Sequence, residues 1–139
     1  VKSDLVFGHE DVILDVVEEV VGAAPTDAPV REVLVGGLRV LAERWPTSRE
    51  HAAVRAQVVA GSAELQERDL AKRARVRDHV VASLRSARPT ADPLEVALWA
   101  DVGLAAFRLA HDEWVAGRGT LPQALTTVLR LLDAQPSTG

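Results

Sequence analysis

The sequence contains no cysteine and no methionine. Without thiols there are no disulfides and no thiolate metal sites, and the redox compartment stays open. No stretch approaches the ~18 consecutive apolar residues that a membrane-spanning helix needs, and no signal-peptide pattern is present. An excess of positive charge is missing too. Sixteen Lys and Arg stand against twenty Asp and Glu, for a net charge of −4, so a broad basic surface for phosphate neutralisation is not expected. Runs that alternate apolar and polar residues are absent, which argues against strands. What remains is 139 residues with 47% hydrophobic content and a mean hydropathy of +0.06. That is enough to enclose one real core, and too apolar for an extensively disordered chain. The first residue is Val1 rather than Met, and it falls in the run-up to an expected helix. A piece of a longer chain is the simplest expectation.

The periodicity predicts six helices. The first spans about Ser3 to Val21, with Val12, Ile13, Val16, Val17 and Val20 as its apolar stripe and Gly8 as a possible bend. The breaker-rich loop "GAAPTDA" follows. Helix two opens at Pro29 and runs to about Arg44; its paired Gly36 and Gly37 suit a close backbone approach. Trp45-Pro46 ends it, and Thr47 with Glu50 reads as a capping box for helix three, which continues to Ala60. Ser62 caps helix four, Ala63 to about Leu84. Asp92-Pro93 opens helix five, which reaches Ala116 and stops at "GRG". Thr120, Leu121 and Pro122 open the last helix, to about Ala134, and residues 135–139 are expected to be a disordered tail.

Helix five carries two apolar faces. Leu98, Val102, Ala105 and Leu109 form one; Trp99, Gly103, Ala106, Ala110 and Trp114 form the other, with Phe107 just beyond. Only Asp101, Arg108 and Asp112 make a polar seam, whereas a surface helix usually shows a single apolar stripe a little over ~100° wide. The last helix, with Leu121, Ala124, Leu125, Val128, Leu129, Leu131 and Leu132, shows a similar surplus. Two such helices suggest a four-helix dimer interface built from Val102, Ala105, Ala106, Leu109, Leu125, Val128, Leu129 and Leu132. The alternative is that helix five is the central helix of a monomeric bundle.

Catalytic templates fail. There is no H-E-x-x-H and no pair of E-x-x-H repeats for a di-metal site. His111, Asp112 and Glu113 are consecutive, and neighbours on a helix point apart, so they read as polar helix surface; His9 to Asp11 read the same way. Asp11, Asp15 and Glu18 read as a solvated edge. Neither a phosphate loop nor a nucleophile elbow appears. The one basic cluster, "KRARVR" at Lys72 to Arg77, is interleaved with acids and reads as a charge-paired exposed helix. Polar, aromatic and small residues set among apolar ones suggest instead a small-molecule pocket involving Gln57, Gly61, His79, Trp99, Gly103 and Phe107.

Three segments carry a family resemblance. "KSDLVFGHED" resembles the stretch that follows the recognition helix in TetR-family regulators. "RAQVVAGSAELQERDL" resembles their mid-body pattern of an apolar helix, a small-residue break and a long charged helix, and "GLAAFRLAHDEWVAGRGTLPQALTTVLRLLDA" resembles their final helix pair. In order and spacing the likeness covers nearly the whole chain, and it is closest to the mycofactocin-type body subgroup. It implies an all-α, six-helix C-terminal regulatory domain over residues 1–139, with residues 1–21 as the helix connecting to a DNA-binding head. It implies a cytoplasmic homodimer through the last two helices and a largely apolar small-molecule effector, with no cofactor, metal, membrane or enzymatic activity. Effector binding would relieve repression by changing the separation of two helix-turn-helix heads on operator DNA. No helix-turn-helix is present in these residues, so the chain itself is not expected to bind operator DNA. Where mycofactocin-type bodies often place Arg, this chain has Gln57, which weakens any anion-binding role there. The competing expectation is a stand-alone helical protein–protein interaction module without a ligand.

Overall fold

The computed structural model describes residues 9–134. Among them are six helices and no strand: α1 (Glu10–Ala23), α2 (Val30–Glu43), α3 (Arg49–Ala60), α4 (Ala63–Ala87), α5 (Pro93–Val115) and α6 (Leu121–Asp133). The chain is all-α. The expected helix start near Ser3, the bend at Gly8 and the 135–139 tail lie outside the described residues.

Local chemistry sets most of the boundaries. The Ser62 hydroxyl accepts from Leu65 N–H at 3.2 Å to open α4, and the Asp92 carboxylate accepts from Leu94 N–H at 2.9 Å to open α5. Thr120 and Gln123 form a reciprocal capping box at the start of α6, with bonds of 3.0 and 3.2 Å. Between α5 and α6 the chain reverses through Gly117 and Gly119, whose φ values of +88° and +86° are costly for any other residue. One cap differs from expectation. Helix α3 is capped by Ser48, which accepts from His51 N–H at 3.1 Å, because the Thr47 hydroxyl is bonded to the His9 ring instead.

Helix α5 is the hub, packing against α2, α3, α4 and α6, while α1 lies across α2 and α4. Its inner side presents Val96, Ala100, Gly103, Ala106, Phe107, Ala110 and Trp114. These meet Val33, Leu34, Leu38 and Leu41 of α2, Val76, Val80 and Leu84 of α4, and Leu121, Leu125 and Leu129 of α6 in one continuous core. Each fully buried Leu or Val in that core contributes about 1.5–3 kcal/mol relative to exposure.

Of the described glycines, Gly103 is the one packed tightly against a neighbouring helix. A methyl group placed there would come within 2.5 Å of Leu34 Cδ2. The sequence pointed to Gly36 and Gly37 for a close approach, yet a methyl group at Gly36 would meet nothing within 4 Å and one at Gly37 only Val20, at 3.7 Å.

Two arginines tie the connections down. Arg88 is buried and donates to the carbonyls of Ala28 at 3.0 Å and Pro25 at 2.6 Å, fixing the α1–α2 loop. Arg49 donates to the carbonyls of Trp114 and Gly119, each at 2.9 Å, locking α3 to the α5–α6 turn. A cation at the C-terminal end of α5 also complements its dipole. No helix among the described residues is long and apolar enough to cross a membrane.

Candidate functional site

A cleft of about 580 Å3 opens between α1, α3, α4 and α5, closed at one end by the α2–α3 loop. Its apolar lining comes from Ile13, Trp45, Ala52, Val76, Leu104 and Phe107. The volume falls in the range of small-molecule sites, roughly 300–1,000 Å3. Rings gather at the α2–α3 end. Trp45 lies 4.9 Å from His9, 5.2 Å from Phe107 and 5.7 Å from His111, and His111 lies 5.4 Å from Trp114, centroid to centroid. The indole Nε1 of Trp45 is buried without a hydrogen-bond partner among the described residues.

The cleft carries charge from α3, α4 and α5, and its buried charges lie on α4. Asp69 and Lys72 are only 9% and 8% exposed. They sit inward because Asp69, Lys72, Val76, Val80 and Leu84 follow one another three or four residues apart, along a single side of α4. Asp69 accepts from Arg55 of α3 at 2.8 Å and from Arg73 at 3.0 Å. The other nearby carboxylate, Glu10, is held by Arg75 at 3.0 Å. At the rim, Arg77 pairs with Asp101, also at 3.0 Å.

These surroundings decide protonation. Burial, reinforced by the positive charges of Lys72 and Arg55, lowers the His9 pKa to about 4. Burial also lowers that of His111, against the pull of Asp112. Both rings are therefore neutral near pH 7 and offer one donor and one acceptor each. Burial likewise lowers the pKa of Lys72, reinforced by Arg55 and opposed by Asp69 and Glu10.

The residues singled out from sequence are dispersed. Phe107 lines the cleft. Gln57 and Gly61 are exposed at the end of α3. His79 is half-buried and faces Glu18 at 3.9 Å. Trp99 lies beneath the Arg31 guanidinium, 5.2 Å from its ring centroid, and Gly103 is filled against Leu34. His9, His111, Asp69 and Lys72 are the residues that sequence reasoning set aside as polar surface or an exposed charged helix. For the basic run that reading describes Arg73 and Arg75, which are exposed and paired, and largely Arg77, which is half-buried and paired. It fails for Lys72. The inward spacing on α4 was the available signal for it.

The eight residues expected at a dimer interface divide similarly. Ala106, Leu125 and Leu129 are buried inside the chain's own core, where a partner could add little. Val102, Ala105, Val128 and Leu132 are half-buried, and Leu109 is exposed. Leu98, Val102, Ala105 and Leu109, spaced four, three and four residues apart, run along the outer side of α5. Leu98 and Leu109 are 55% and 53% exposed, and Leu131 on α6 is 60% exposed.

Among the described residues no group of three or more His, Asp or Glu is placed to hold a metal ion. The sequence matches no protein-family model and no curated protein.

Proposed function

We propose that this domain binds a small, largely apolar effector in the α1–α3–α4–α5 cleft and self-associates through the outer side of α5 and α6. This is the division of labour in a TetR-type regulatory body, in which DNA reading belongs to a separate helix-turn-helix head. The observation that carries the reading is the cleft: a space of about 580 Å3 whose open surface is mainly apolar, walled by Trp45 and Phe107 and edged by charged groups of α3, α4 and α5, in the size range of a ligand site. Helix α5 offers a physical route between the two activities. Ala105 lines the cleft and also belongs to the outer Leu98–Leu109 stripe, so a shift of α5 on ligand binding would change the association surface. Couplings of this kind amount to about 1–3 kcal/mol. The arrangement favours this reading over a ligand-free interaction module, which has no use for an open apolar cleft.

A thermal-shift screen of small apolar compounds tests it. A ligand present at a hundred times its Kd stabilises the folded state by about 2.7 kcal/mol, a clear rise in Tm. Ala74 is exposed and lines the cleft, so Ala74→Trp narrows the space without disturbing the core. Compounds that stabilise the wild type and lose their effect in Ala74→Trp are expected. Compounds that act equally on both proteins, or a screen with none that act, would remove the cleft as an effector site.

A further inference from the structure

Among the described residues, nothing pairs with the charge of Lys72. It is only 8% exposed and lines the apolar cleft, yet among the described residues its ammonium makes no ion pair or hydrogen bond. Both carboxylates near enough to act on it are already occupied, Asp69 by Arg55 and Arg73 and Glu10 by Arg75. An uncompensated buried cation is unfavourable, and a buried ammonium is retained most easily where a counter-charge arrives from outside.

Resting on the ligand-binding reading above, we infer that the cleft takes an amphipathic monocarboxylic acid, its carboxylate on Lys72 and its apolar body against Trp45, Phe107, Leu104 and Ile13. A single charge is indicated because Arg73 and Arg77 on the same helix already have acidic partners. The neutral rings of His9 and His111 bring no further cation, Arg55 is engaged by Asp69, and Arg108, the remaining arginine of the lining, is exposed to solvent, so Lys72 is the buried cation left for a single negative charge. The buried Nε1–H of Trp45, unpaired among the described residues, is a further donor in the same lining.

Calorimetry with decanoate and 2-naphthoate, each against its neutral counterpart (decanol and 2-naphthalenemethanol), tests the assignment on the full chain. The acids are expected to bind about tenfold or more tightly than the alcohols, the range for a hydrogen bond to a charged partner. Lys72→Met and Lys72→Gln each remove a buried charge at similar length. Both are expected to keep their helical circular dichroism and to bring the ratio of acid to alcohol affinity close to one. Equal binding of acid and alcohol by the wild type, or an acid preference that survives both substitutions, would overturn the carboxylate site while leaving the effector cleft standing. Tighter binding of 2-naphthyl phosphate than of 2-naphthoate would overturn the choice of a monoanion. Failure of every acid to bind saturably would overturn the inference outright, and the thermal-shift screen would then decide separately whether the cleft holds any ligand.

Discussion

Histidine 9 shows how a single side chain acquires a pH response from its place. In the unfolded chain its imidazole takes up a proton near pH 6.5, whereas in the folded protein burial and the charges of Lys72 and Arg55 delay protonation to about pH 4. Between those values the unfolded state binds more protons, so stability is complete above pH 6.5 and declines as the pH falls toward 4. His111 is shifted in the same direction and adds to the effect. Melting curves between pH 7 and pH 4 are expected to show a steady loss of Tm. His9→Gln should flatten that slope, by an amount on the order of 1 kcal/mol, because the half-buried ring is partly screened by solvent. An unchanged slope in His9→Gln would place the acid sensitivity elsewhere. None of this follows from the letters H-E-D at the start of α1. The spacing puts His9 beside a helix start, but its value as a cleft residue depends on Thr47 and Trp45, 38 and 36 positions away in sequence.

At the level of elements, helix types and most termini were legible because their causes are local: a hydroxyl or carboxylate cap, a proline in the first turn, a glycine past the end. The misplaced cap at Thr47 marks the limit. Thr47 and Ser48 are equally good cap residues, and a tertiary bond to His9 takes Thr47 out of competition. Glycine position is another case. Gly36, Gly37 and Gly103 are alike in sequence, each interrupting a helix, but only Gly103 sits where two helices touch closely. Gly36→Ala is therefore expected to stabilise the protein by about 0.5–1 kcal/mol through helix propensity. Gly103→Ala gains the same term but overpacks against Leu34, at a cost of about 1–3 kcal/mol, so it should be neutral to destabilising by up to about 2.5 kcal/mol. Chemical denaturation of the two variants checks the contrast; equal shifts would mean that α2 and α5 separate freely at that crossing.

For the whole molecule, the outer side of α5 is the face on which self-association is tested. Leu98 and Leu109 are more than half exposed, and Leu131 on α6 adds to the same excess. A stable twofold interface covers about 800 Å2 per partner, and an apolar helix side of this kind is a natural centre for one. Light scattering on the purified protein is expected to give a dimer, and Leu98→Glu combined with Leu109→Glu a folded monomer. Because both side chains are exposed, the substitutions should cost little stability. A wild-type monomer, or a dimer untouched by the double substitution, would remove this side of α5 as the interface. Leu125 and Leu129, although on the last helix with its many leucines, are poor choices for that test because they already serve the core.

Composition and periodicity were sufficient to establish that the chain is helical, where its helices lie, and that α5 is apolar on two sides. These properties depend on residues within a few positions of one another, and a one-dimensional pattern records them. Which of the two sides turns inward, and that an aspartate and a lysine from a charged helix line an apolar cleft, depended on where α2, α3, α4 and α6 come to rest around α5. Those contacts join residues tens of positions apart, and a helical wheel carries no information about its neighbours.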